Sequence, residues 1–479
     1  MSANDSGRPA GAAMPEEAEA FLAAHPEIVA VDIVLTDPNG IGRGKIVRRH
    51  ELLAIYRNGR HLPGSILGLD VLGEDVEETG LVWADGDADR RAWPVPGTLV
   101  AMPWTDPPRG QVLLTLHEFD GTPNPADPRH ALAHQDERLR NAGMTPVAAF
   151  ELEFYLFDRD RPAGAAPLPA RLPLTGERPQ AIQAYRVEDL DRMEPFVDAV
   201  YRAAEAQRLP LETLISEYAP GQYELTLKHH ADALRAADDL VMLKRLVRGI
   251  AVRHGMIASY MAKPFPGQAG SGMHIHTSLA GPDGRNLFAD VGRSGGSPVV
   301  DFAATAPLMR HAIGGLLATM RESMLVFAPH LNSWRRFAAT SYAPVAPTWG
   351  ANNRSVAVRV PAGAPATRHF EQRAAGVDAN PYLVGATVLA GMHHGILGKM
   401  EPGDPIAGNG YAAAAEAESA DSLPMDWRTA ILDAGASPFL KEALGPRFHH
   451  VFLALKRAEY RRLAAEVTEQ EYRLYLETV

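Results

Sequence analysis

One short segment constrains the fold of this chain more than any other. The run over residues 150–157, Phe-Glu-Leu-Glu-Phe-Tyr-Leu-Phe, sets two glutamates in an otherwise apolar stretch. Alternate residues of a strand share one face, so Glu151 and Glu153 point the same way. Two carboxylates in an apolar wall repel each other unless a cation joins them. The segment therefore predicts either a central strand that holds a metal or an edge strand with a solvated acidic face.

The composition narrows the classes of partner and metal ligand. The 479 residues suggest two or three domains, and the formal net charge of −11 argues against a nucleic-acid partner. There is no cysteine, so a metal must be held by histidines and carboxylates. The sequence has no stretch typical of a membrane span or a signal peptide. We expect a cytoplasmic protein with neither a membrane nor a nucleic-acid partner.

Turn signals divide the chain near residue 124. Asp127 and Pro128 supply the N-cap and the first residue of a predicted helix, directly after a Gly-Thr-Pro-Asn-Pro run. We expect three parts: a flexible tail over residues 1–24, a small N-terminal domain over 25–122, and a larger C-terminal domain over 125–479. The larger part alternates strands and helices in an α+β pattern, with strands at 147–157, 212–216, 222–226, 256–261, 273–279, 356–360 and 369–373.

A second strand motif carries histidines on one face. In Ser-Gly-Met-His-Ile-His-Thr-Ser over 271–278, the residues His274, His276 and Ser278 project together. Gly270 and Gly272 before them allow a ligand to approach the backbone closely. A single histidine would more often be structural, but two in alternation favour a binding site.

Further charged residues complete the set. Glu217 and Glu224 flank a Pro-Gly turn, which predicts either a second part of the site or a hairpin with two surface acids. Arginine guanidinium groups match carboxylates and phosphates, and they cluster late in the chain at Arg335, Arg336, Arg354, Arg359 and Arg373, with Glu371 among them. Glutamates and one histidine opposite arginines predict Mg²⁺ or Mn²⁺ bridging phosphates. A binuclear metallohydrolase would use the same acids but would not need the arginines.

These blocks, in this order, resemble the glutamine synthetase family. The most specific are Lys263-Pro264, the Gly270 to His276 run, Glu151 to Phe154, and Asn353-Arg354-Ser355. The pattern is most similar to the branch that makes gamma-glutamylputrescine. The resemblance implies a small N-terminal β-grasp domain and a large C-terminal catalytic domain, an antiparallel sheet with flanking helices. It also implies ATP-dependent ligation of the glutamate γ-carboxylate to an amine through a γ-glutamyl phosphate.

The same resemblance implies a role for each site residue. The metal ligands would be Glu151, Glu153, Glu217, Glu224, His274 and Glu371, holding two to three Mg²⁺ or Mn²⁺ ions. Glutamate would contact Gly270, His276, Arg336 and Arg373, and ATP would contact Ser278, Arg354 and Arg359. Arg354, Glu217 and Arg336 would be the catalytic residues.

Departures from the family pattern bear on the amine. Members that use ammonium carry an acid in a Phe-Asp-Gly-Ser-Ser motif, where this chain has Leu-Pro-Gly-Ser-Ile with Pro63 in the acid's place. They also carry a glutamate after a Gly-Tyr pair, where this chain has Ala343 after Tyr342. Ammonium needs anionic groups to bind it and accept its proton, so a bulkier amine fits better. Candidates for the amine site are Glu217, Tyr185, Pro63 and Tyr342.

The preferred interpretation of the sequence is that the protein synthesises gamma-glutamylputrescine in polyamine catabolism. The alternatives are a ligase for ethanolamine, a monoamine or spermidine, a divergent glutamine synthetase, and a catalytically silent nitrogen or polyamine sensor. The resemblance further implies a dodecamer of two hexameric rings, with each site formed between subunits and the segment near Pro63 contributed by a neighbour.

Overall fold

The computed structural model describes residues 7–161, 165–289, 305–338, 340–412 and 422–479. The sequence pattern predicts helices over about 300–327, and residues 300–304 of that range lie outside the described residues. Two sheets occupy successive parts of the chain. The smaller contains β1 (Ala30–Thr36), β2 (Gly42–Arg48), β3 (Arg60–Pro63), β4 (Asp89–Pro94), β5 (Val100–Met102) and β6 (Arg109–His117).

The smaller sheet is mixed. Its order is β2-β1-β6-β4-β3, with β5 also paired to β6, and the central pair β1 and β6 is parallel while the other pairs are antiparallel. Val31 and Ile33 of β1 and Val112 and Leu114 of β6 lie in its buried core. This apolar alternation on two paired strands explains why one face of the sheet is buried.

The larger sheet carries the predicted site. Its order is β12-β13-β14-β11-β7-β9-β8, with β10 paired to the far end of β7. All pairs are antiparallel except β12 with β13, which agrees with the predicted antiparallel sheet apart from that pair. The strands are β7 (Thr145–Asp158), β8 (Leu211–Ser216), β9 (Gln222–Leu227), β10 (Met256–Ser259), β11 (Ile275–Ala280), β12 (Trp349–Ala351), β13 (Val358–Val360) and β14 (Phe370–Gln372).

Helices flank the sheets and supply most of the core. The described helices are α1 (Pro15–Ala24), α2 (Leu52–Asn58), α3 (Pro128–Asn141), α4 (Val187–Arg192), α5 (Glu194–Ala206), α6 (Ala233–Arg253), α7 (Pro307–Phe327), α8 (Pro381–Gly398), α9 (Trp427–Ala436), α10 (Pro438–Leu444), α11 (Pro446–Ala464) and α12 (Glu469–Tyr475). α3 begins as predicted, because the Asp127 side chain accepts a hydrogen bond from the backbone N–H of Arg129. α7 packs against α8, which is buried along almost its whole length. Among the described helices, none combines the length and apolarity needed to cross a bilayer.

The predicted flexible tail over 1–24 is wrong for residues 15–24. They form α1, in which Ala18 and Phe21 are buried in the core of the smaller sheet. The segment has low overall hydrophobicity, but two apolar residues three positions apart suffice to attach a helix to a preformed apolar face. The division at residues 122–125 stays a prediction. It is supported by the two sheets, which lie on either side of that point.

Candidate active site

Strand register brings the predicted acids to one face of the larger sheet. In the antiparallel pairs, Glu153 on β7 lies opposite Glu224 on β9, and His276 on β11 lies opposite Glu371 on β14. Residues opposite each other in such a pair share a face. Glu151, two residues before Glu153, therefore joins the same surface. The central-strand interpretation of residues 150–157 is confirmed, since β7 pairs on both sides.

Three of the predicted metal ligands meet at the middle of this face. His274 Nδ1 lies 2.7 Å from Glu151 Oε2 and 3.4 Å from Glu371 Oε1. One ligand atom from each of the three lies within 4.8 Å of the others. Burial opposes the charge of Glu151, yet hydrogen bonds from His274 and His276 hold the pKa of Glu151 well below its usual range. The cluster keeps an ionised carboxylate available to a cation.

The other three predicted ligands form an acidic half of the same site. Burial raises the pKa of Glu224 to about 10, and the charges of Glu151 and Glu153 add to that rise. Burial and the charge of Glu153 raise the pKa of Glu217 to about 7. A buried carboxylate resists ionisation only while no cation is near. This repulsion among glutamates is what a divalent metal would relieve.

Glu153 is fixed by backbone and amide donors. Its Oε2 accepts a hydrogen bond of 2.7 Å from the N–H of Gly272. The Gln222 amide donates to the same oxygen at 3.5 Å and to the carbonyl of Gly270 at 3.0 Å. Sequence reasoning missed Gln222, although it lies two residues before Glu224 on β9 and shares its face.

Arginines border the face that carries the carboxylates, on the side of β13 and β14. Arg359 Nη1 lies 2.7 Å from Glu371 Oε2, and Arg373 bonds the other oxygen of the same carboxylate. Burial alone would raise the pKa of Glu371, but Arg373 and His274 lower it to about 2. Arg336 is buried and donates to the backbone carbonyls of Arg373 and Ala374 at 3.1 and 2.8 Å. The structure thus places Arg336, Arg359 and Arg373 on one side of the carboxylates, and their roles stay a prediction.

Two glycines leave room for these groups. A Cβ on Gly270 would lie 2.7 Å from Arg336 Cγ, and one on Gly272 would lie 2.7 Å from His274 Nε2 and 2.9 Å from Arg336 Nη2. Real Cβ atoms do not approach so closely, so the loop can pass between the histidine and the arginine only because both positions are glycine.

The remaining predicted residues fall into two groups. Arg354 and Tyr185 lie near Glu217, since the charge of Arg354 favours the ionised form of both Glu217 and Tyr185. Ser278 is buried on β11, two residues beyond His276. Pro63 ends β3, on the smaller sheet rather than the sheet that bears the carboxylates. Tyr342 is exposed and has a positive φ of 59°.

Tyr185 combines exposure with an unusual backbone. Its φ is +61°, its N–H donates to the carbonyl of Ser216 at 2.9 Å, and its side chain is 63% exposed. Non-glycine residues adopt positive φ at a cost of roughly 1–3 kcal/mol and cluster at functional sites. The hydrogen bond holds Tyr185 beside the residue that precedes Glu217.

Two histidines near His276 were not identified from the sequence. His369 lies two residues before Glu371, and its Nε2 lies 3.1 Å from His276 Nδ1. His229, just after β9, packs edge-on against both rings. The alternation of His369, Glu371 and Arg373 was a usable signal for the first, whereas nothing in the sequence spacing links His229 to β11 or β14.

Buried carboxylates joined to one histidine, with arginines at their rim, are the arrangement expected in an enzyme that binds metal ions and phosphates. The model for the catalytic domain of glutamine synthetase matches residues 125–475. Gamma-glutamylputrescine synthetase PuuA of Escherichia coli (strain K12) is 37% identical over 96% of this chain and 94% of its own length. Gamma-glutamylethanolamide synthetase GlnA4 of Streptomyces coelicolor is 32% identical over the same shares. A solved structure of a GmaS/ADP complex superimposes with a TM-score of 0.80 at 28% identity, covering 96% of this chain and 99% of that one.

This chain belongs to the glutamine synthetase family. It is an ATP-dependent ligase that joins glutamate to an amine, as the sequence resemblance implied.

Proposed function

We propose that this ligase forms a γ-glutamyl amide with a diamine rather than with ammonium, and that the diamine is putrescine. The observation that carries the proposal is that Pro63 and Ala343 stand where ammonium-using members of the family carry acids, in a chain that keeps all six predicted metal ligands. The similarity to a gamma-glutamylputrescine synthetase supports the same choice. The product would feed polyamine catabolism, and the predicted location stays the cytoplasm.

The residues present fit two divalent cations. Glu153, Glu217 and Glu224 would hold one ion, and the raised pKa values of Glu217 and Glu224 express the repulsion that this ion would remove. Glu151, His274 and Glu371 would hold another, since their ligand atoms already converge. An oxygen-rich donor set with one imidazole suits Mg²⁺ or Mn²⁺. When bound, such ions neutralise phosphate and carboxylate charge during phosphoryl transfer.

The chain's own residues would perform the remaining work. Arg336 and Arg373, with Gly270 and His276, would hold substrate glutamate so that its γ-carboxylate oxygen faces the γ-phosphorus of ATP. Arg354, Arg359 and Ser278 would bind the nucleotide, and Arg354 would stabilise the charge of the transferring phosphoryl group. A γ-carboxylate oxygen bonds to phosphorus and ADP leaves. The amine nitrogen then bonds to the γ-carbon, loses a proton, and phosphate leaves.

Glu217 would act as the general base for the attacking amine. A carboxylate that the neighbouring cation keeps ionised can accept a proton from the attacking amine nitrogen. Tyr185 lies beside Glu217 and, with Tyr342 and Pro63, would form the apolar wall for the carbon chain of the amine.

A monoamine or ethanolamine is the second candidate substrate class. GlnA4, which matches over as much of this chain as PuuA does, is a gamma-glutamylethanolamide synthetase by its name. The loss of the two acids in this chain does not distinguish a diamine from a monoamine or ethanolamine, so substrate turnover has to separate these candidates, a divergent glutamine synthetase and a silent sensor.

The test is ADP release by the purified protein with Mg²⁺, ATP and glutamate, comparing ammonium, putrescine, spermidine, ethanolamine and methylamine, with products identified by mass. We expect the highest kcat/KM with putrescine. A preference for ammonium would make the protein a divergent glutamine synthetase, and no turnover with any amine would support the sensor. Ala343→Glu restores one missing acid and should raise the ratio of ammonium to putrescine turnover, whereas Ala343→Gln, of matched size, should not.

A further inference from the structure

Three imidazoles converge beside the carboxylate site. The reaction proposed above gives a role to His276 but none to His229 or His369. One ring nitrogen from each of His229, His276 and His369 lies within 4.8 Å of the others. The ring centroids are separated by 5.1 to 5.9 Å. The three come from different parts of the chain, namely the segment after β9, strand β11 and the residue just before β14, so no local sequence preference explains their proximity.

We infer that His229, His276 and His369 form a second kind of metal site, which takes a borderline transition ion such as Zn²⁺ rather than Mg²⁺. Neutral imidazole nitrogens suit Zn²⁺, whereas Mg²⁺ prefers oxygen ligands. Three protein nitrogens leave one position of a tetrahedral site for water, and His229 is exposed, so the cluster is accessible to solvent.

The hydrogen bonds of His276 support this assignment. Its Nε2 lies 2.8 Å from Glu151 Oε1, and its Nδ1 faces His369 Nε2 at 3.1 Å. A carboxylate on one ring nitrogen of a histidine orients the other nitrogen toward a metal. At this site Glu151 would orient His276 through a hydrogen bond. At the carboxylate site the same residue would bind the metal directly.

His369 is oriented in the same way. Its Nδ1 lies 3.0 Å from the carbonyl oxygen of Thr367, so Nδ1 carries the proton and Nε2 presents its lone pair toward the cluster.

The test measures Zn²⁺ binding by the full-length protein in a large excess of Mg²⁺, so that the oxygen-rich site is occupied. Equilibrium dialysis gives the affinity, and Co²⁺ as a substitute gives a visible absorption spectrum that reports nitrogen ligation without nucleotide or turnover. His229→Gln and His369→Gln should each weaken Zn²⁺ binding by at least about tenfold and remove the Co²⁺ band.

His230→Gln is the matched control, since His230 is the next residue and its charge acts on Asp239 instead. It should bind Zn²⁺ as the unmodified protein does. Wild-type affinity in both His229→Gln and His369→Gln, or an equal loss in His230→Gln, would overturn the inference. His229 is exposed, so its variant should keep the fold and decides the question alone if the His369 variant does not fold.

Discussion

At the residue scale, the buried glutamates make the free energy of unfolding of the metal-free protein decrease as the pH rises. The pKa of Glu224 is raised to about 10 in the folded chain, well above the value of about 4.3 for an unfolded glutamate. A group whose pKa is raised on folding favours the folded state below its unfolded pKa, and this contribution is lost as pH rises toward the folded pKa. The protein without metal therefore becomes less stable between these two values.

We predict that in EDTA the melting temperature falls as the buffer is raised from about pH 6 to about pH 9, and that Mg²⁺ reduces this fall, because the cation relieves the repulsion. Glu224→Gln removes the titrating group, so its melting temperature in EDTA should depend less on pH and gain less from Mg²⁺. Glu212→Gln is a control on the neighbouring strand, with an exposed carboxylate. An equal pH dependence in Glu224→Gln and the unmodified chain would contradict the assignment.

At the scale of elements, the alternation of side chains predicted the strands of the site well. The sequence predicts strands over 147–157, 222–226 and 369–373. β7 and β9 extend one or two residues beyond the predicted bounds, and β14 lies within them. Which residues face each other was not predictable, because register depends on pairing between distant strands. That is why Gln222 and His369 were missed although each shares a face with a glutamate that was identified.

Elements that depend on a distant partner were predicted poorly. Residues 50–110 are irregular and rich in turn formers, yet β3 forms by pairing with β4, and β4 pairs in turn with β6. α1 likewise depends on the small sheet that buries Phe21. In both cases the stabilising contact lies in another part of the chain, so a local reading of the sequence cannot find it.

The loop between β10 and β11 offers a test of close packing at the site. Gly272→Ala should lower kcat/KM by about tenfold or more, because its Cβ would displace His274 and Arg336, and small displacements of reacting groups are costly. Gly267→Ala in the same loop meets no atom within 4 Å and should leave activity unchanged. Steady-state kinetics with saturating Mg²⁺ measure both. Equal activity in the two variants would show that the loop adapts and does not position these residues.

At the scale of the whole molecule, the proposed oligomer makes a prediction about where the amine site is built. Pro63 and Glu224 lie on different sheets. If a neighbouring subunit supplies the segment near Pro63, a site needs an intact catalytic sheet from one chain and an intact segment from another. Glu224→Gln damages the first part, and Pro63→Lys places a cation where the amine would bind and so damages the second.

Each variant alone should be inactive in the amine assay. When the two are co-expressed with different tags and the mixed oligomers are isolated, about a quarter of the sites should combine undamaged parts from two subunits and recover activity. Sites built within one chain would recover none, because every subunit then carries its own damage. Activity in Pro63→Lys alone would remove Pro63 from the amine site. Recovery in the mixture, with both parents silent, requires that neighbouring copies of this chain complete one another's sites.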